Sequence, residues 1–131
     1  MKTFNSTVTY ELKDKGAIEI KATLSYRIPR VLGDEIVNQV EQKINKVLVP
    51  DKKGEGCAQG SFTVFRSDIS SILYIKGFKF WVWIDDTTTY EKMMSVVECV
   101  RTFFAELAAQ HQFLYEFVKL NDEREVENDR L

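Results

Sequence analysis

Residues 88–120 read TTYEKMMSVVECVRTFFAELAAQHQFLYEFVKL. Met93, Val97, Val100, Phe104, Leu107, His111, Leu114 and Val118 alternate steps of four and three, the seam of an amphipathic helix. At ~1.5 Å per residue such a helix is about 50 Å long. A small domain cannot cover that length, so its far half is expected to meet another chain. Thr88 and Glu91 have capping-box spacing at its start, and Asp85-Asp86 place negative charge at its N-terminus.

Upstream, the pattern changes period. Phe4, Ser6, Val8, Tyr10 and Leu12 share one parity, as do Ile18, Ile20, Ala22, Leu24, Tyr26 and Ile28. Two-residue alternation marks half-buried strands, and Lys13-Asp14-Lys15-Gly16 between them marks a hairpin turn. Pro29 ends the second strand. From Asp34 the apolar positions Ile36, Val37, Val40, Ile44, Val47 and Leu48 form a helical stripe. Pro50 to Gly60 is loop chemistry and the candidate binding loop. Phe62–Arg66 and Ile72–Ile84 read as two further strands, with Gly77 marking a bulge or a close backbone approach.

The order is ββα followed by ββα. The expected fold is α+β: two ββα units forming a four-stranded antiparallel sheet, helices on one face, and a long C-terminal helix. Residues 1–120 form one domain, with ββα units at 3–49 and 61–120 around the loop 50–60. Residues 121–131 are charged at seven of eleven positions and are expected to be a disordered tail.

The long fourth strand is apolar on both parities. Tyr74, Lys76, Phe78, Phe80, Val82 and Ile84 alternate with Ile75, Gly77, Lys79, Trp81 and Trp83. A sheet covered on one side needs a single apolar face, so Trp81 and Trp83 fall on the side that should be wet. Tryptophans left there are typical anchors for a partner. Lys79, Trp81 and Trp83 are therefore the candidate partner-binding residues. Leu107, His111, Phe113, Leu114, Tyr115, Phe117 and Val118 are the candidate oligomer interface.

Composition narrows the function classes. The chain has 131 residues, net charge −2, 44% hydrophobic and 29% charged residues. That suits a globular domain, not a basic duplex-binding one. Two cysteines form no disulfide framework, and the start lacks a signal-peptide core, so a cytoplasmic protein with reduced thiols is expected. There is one histidine. No two-histidine metal site follows, and a Ser-His-Asp arrangement has no support in the spacing. Gly54-x-Gly56 lacks the Lys-Ser/Thr of a phosphate loop. No catalytic residue, metal or cofactor is assigned. The expected function is a non-catalytic protein-binding module (inhibitor, adaptor or assembly subunit) acting as a homodimer, with a protein partner and no membrane. The alternatives are a single-stranded nucleic-acid binder using the sheet aromatics, and a small-ligand sponge at a dimer interface.

Overall fold

A computed structural model describes residues 3–14, 16–50, 57–67 and 71–129, with side chains described as far as residue 120. The order is β1 (Ser6–Lys13), β2 (Ala17–Pro29), a short 3-10 turn (Arg30–Leu32), α1 (Gly33–Leu48), β3 (Ala58–Arg66), β4 (Leu73–Trp83) and α2 (Tyr90–Asp129). All neighbouring strands are antiparallel and the sheet order is β1-β2-β4-β3. The two ββα units thus meet through their second strands, β2 against β4, in the α+β arrangement expected from the sequence.

One face of the sheet carries the core. Ile18, Ile20 and Ala22 stand opposite Val82, Phe80 and Phe78 in the β2–β4 register, and all six are buried. Ile36, Val40 and Ile44 of α1 and Met93, Val96, Val97, Val100, Phe104 and Ala108 of α2 close over them. Burial of this stripe, rather than helix propensity, fixes both helices on the same side.

Both sheet edges are met by helix side chains. The β3 edge lies along α1, where Glu41 Oε1 accepts the Gly60 N–H and Asn45 Oδ1 accepts the Cys57 N–H, each at 2.8 Å. Beside β1, Gln112 Oε1 on α2 accepts the Phe4 N–H at 2.8 Å. Such contacts occupy donors that an open edge offers to another strand.

Three boundaries differ from the sequence expectation. β3 begins at Ala58, inside the stretch read as loop. Its small residues carry no strand signal, and a Cβ at Gly60 would lie 2.6 Å from the Phe80 ring and 2.7 Å from Val37. The rest of the candidate binding loop, residues 51–56, lies outside the described residues. The α2 N-cap is Thr89 rather than Thr88: Thr89 Oγ1 accepts the Lys92 N–H at 3.1 Å. Thr88 Oγ1 instead accepts the Asp85 N–H at 3.2 Å. α2 also continues to Asp129, beyond the Leu120 limit read from the apolar pattern.

β4 does not keep one parity. Gly77 pairs with Thr23 and Thr63, and the next pairing is Ile75 with Ile28 and Val64. Lys76 is the extra residue of a bulge, so side chains before it change face. Ile75 is buried beside Phe78, and Tyr74 joins the face opposite the helices. This corrects the sequence assignment of Tyr74 and Ile75. At Gly77 the chains nearly touch: an added Cβ would sit 2.8 Å from the Ala22 carbonyl oxygen. Backbone cannot give way as a flexible side chain can. Gly77→Val is expected to cost about 1–3 kcal/mol through overpacking, read as a lower urea midpoint.

Candidate functional site

Among the described residues, two exposed surfaces carry the candidate binding residues. The first is the far half of α2. Its early turns are core, and Leu107 is half-buried against it. At His111 the helix leaves the sheet through an aromatic cluster. Phe4 is edge-on to His111 at 5.0 Å and to Tyr115 at 5.1 Å, while Tyr26 lies 4.9 Å from His111. Beyond it the helix is apolar and uncovered. Phe113 is 67% exposed, Leu114 57%, Phe117 54% and Val118 55%. Phe113 and Phe117 stack on each other, one turn apart, with centroids at 6.4 Å. Of the residues predicted for an oligomer interface, Leu107, His111 and part of Tyr115 are engaged within the chain. Phe113, Leu114, Phe117 and Val118 face outward.

Tyr26 in that cluster is 4% exposed, and its hydroxyl finds no partner among the described residues. Burial disfavours the phenolate and pushes the group up to about 12 from its ordinary value of 10.0. The neutral form is the one the fold favours. Tyr26 therefore contributes full stability below about pH 10, lost as pH rises through about 12. Tyr26→Phe removes an unsatisfied buried hydroxyl and is expected to stabilise by about 1 kcal/mol at pH 7. Chemical denaturation at pH 7 and across the alkaline window should show a gain at neutral pH and a shallower alkaline loss.

The second surface is the sheet face turned away from the helices. Strand register fixes its rows: Glu19, Trp81 and Gln59; Lys21, Lys79 and Ser61; Thr23, Gly77 and Thr63. Glu11, Thr9 and Thr7 of β1 continue these rows. Lys79 is exposed, Trp81 half-buried and Trp83 46% exposed, opposite the buried Ala17. The three predicted partner-binding residues are thus neighbours on one face.

Its electrostatics are more basic than the chain's. Glu19 is 9% exposed and its carboxylate lies 3.3 Å from Lys21 Nζ. Burial opposes its charge, but Lys21, Lys13 and Lys79 outweigh that, and the carboxyl is held below its ordinary value. At the other end Arg27 lies over Tyr74 at 5.5 Å and Phe65 at 5.9 Å, a guanidinium on two rings. The sequence missed Phe65, Tyr74 and Arg27 as a group. Arg27 alternation marked it solvent-facing, yet no local signal placed it beside two rings from the other hairpin.

Other sequence candidates resolve into local structure. Asp85 Oδ1 accepts from the Thr87 N–H at 2.9 Å and the Thr87 hydroxyl at 2.6 Å, which holds its carboxyl below the usual range. Cys57 and Cys99 are unbridged and half-buried, and burial pushes the Cys99 thiol up. Among the described residues no three His, Cys, Asp or Glu side chains converge as a metal-holding group. No helix among them is long and apolar enough to cross a membrane. Comparison with protein-family models, with curated proteins and with solved structures gave no match.

Proposed function

We propose that the protein is a non-catalytic protein-binding module whose first partner is a second copy of itself, joined through the distal half of α2. It would serve as an inhibitor, adaptor or assembly subunit. One observation carries this reading: Phe113, Leu114, Phe117 and Val118 form an exposed apolar surface on a helix that has already left its own sheet. A phenylalanine offers roughly 150–250 Å² of buriable surface. Two copies of this segment together present on the order of 1,000 Å², about the lower bound of a specific interface. Each copy presents half of that, roughly 500 Å², at the upper end of the largest apolar patches on monomeric proteins, which are often functional.

Light scattering on the purified chain tests the reading. A mass of twice 15.2 kDa is the expected outcome. A mass of 15.2 kDa at every concentration overturns it.

A further inference from the structure

The open face of the sheet has a layout of its own, independent of α2. Its centre is a shallow depression of about 470 Å³ floored by Gly77 and lined by Lys21, Lys76 and Lys79, by the hydroxyl residues Thr23, Ser61 and Thr63, and by the apolar Phe62 and Val64. The bulge makes this depression. It adds Lys76 to the strand, and the missing side chain at Gly77 leaves Thr23 of β2 and Thr63 of β3 standing on either side of bare backbone. Aromatic residues stand at both ends. Trp81 and Trp83 occupy one, and Tyr74 with Phe65 the other. From the Trp83 row to the Phe65–Tyr74 row is eight residues along β3, about 26 Å at ~3.3 Å per residue.

We infer that this face binds a short run of single-stranded nucleic acid, its phosphates held over the lysine-lined depression and its bases stacked on the flanking aromatics. Charge complementarity selects the occupant. The whole chain carries net charge −2, but here Lys13, Lys21, Arg27, Lys76 and Lys79 outnumber Glu11 and Glu19. Glu11 and Glu19 are engaged by Lys13 and Lys21, at 3.2 and 3.3 Å. Lys76 and Lys79 are exposed at the rim of the depression.

A protein partner would use the tryptophans but has no need of a hydroxyl-lined cationic floor between two aromatic ends. Stacking works on any base, because every base has a π face, so little sequence preference is expected. A duplex is excluded by the same geometry: its bases are not free to lie on the rings. The span suits about four nucleotides, the small end of known single-strand sites.

The test is fluorescence anisotropy of labelled oligo-dT and oligo-U 12-mers with the full chain, following tryptophan emission in parallel. Binding with tryptophan quenching is expected. If three phosphates are neutralised, affinity falls about twenty-fold between 50 and 200 mM salt. Lys76→Glu with Lys79→Glu should weaken binding ten-fold or more, and Trp83→Ala should remove most of the quenching. Circular dichroism of each variant should match the parent, since all three side chains are exposed. No binding by the parent chain at 50 mM salt overturns the inference and returns the face to a protein partner. So does equal affinity for a duplex, or equal competition by a polyanion without bases. These outcomes are independent of the chain's mass in solution, so this inference and the dimer reading fail separately.

Discussion

Phe104→Ala is expected to destabilise the protein by about 3–5 kcal/mol, the range for emptying a buried aromatic site. Phe104 is fully buried, and its ring reaches from α2 to the β4 side chains Phe78 and Phe80. Its ring lies 5.2 Å from Phe78, 6.3 Å from Phe80 and 5.2 Å from Phe103. Those neighbours belong to a rigid central strand and to the helix itself, so the gap has little means of collapsing. Against a total of about 5–15 kcal/mol for a domain, the loss removes about a fifth of the stability or more. Thermal melting should fall by roughly 10 °C or more. Thr102→Ala, two positions away and exposed, should stay within about 0.5 kcal/mol. A Phe104→Ala protein that melted with the parent would mean α2 does not anchor on β4.

The sequence was most legible where one residue pattern answered to one environment. In the first hairpin, Ile18, Ile20 and Ala22 alternate with exposed or polar positions, and the buried parity is the one the alternation picks out. α1 follows its stripe for the same reason. β4 was harder because both faces are apolar for different causes. Phe78, Phe80 and Val82 are core, while Trp81 and Trp83 belong to the open face. Gly77 did signal irregularity, but a glycine alone does not tell a bulge from a close approach. Here it serves both, and the bulge moves Ile75 into the core.

The candidate surfaces were legible in part, and for a similar reason. Exposed apolar residues on a long helix announce themselves by exceeding what a small sheet can cover. The boundary between covered and uncovered turns did not. It depends on Phe4 and Tyr26 reaching His111 and Tyr115 from distant strands. The lysine-lined depression is likewise a product of register. Lys21, Lys76 and Lys79 come from two strands, and pairing alone sets them around Gly77.

Phe113→Lys with Phe117→Lys is expected to convert the proposed dimer into a chain of 15.2 kDa mass, weakening self-association by a hundred-fold or more. Each phenylalanine buried at an interface contributes about 1.5–3 kcal/mol, and two copies contribute four of them. An ammonium group in the same place must also be desolvated without a partner, which adds a further penalty. Lysine is chosen over glutamate because of where the pair sits. The helix runs on toward an acidic C-terminal end, and Glu116 lies one turn from position 113. Positive charge there offers a side-chain pair with Glu116, so the helix itself is not weakened. Phe113 is 67% and Phe117 54% exposed, and their ring contact is with each other. The helical signal should therefore persist while the mass halves. Loss of helical signal together with mass would show that these rings hold α2 itself, and would remove the case for an interface.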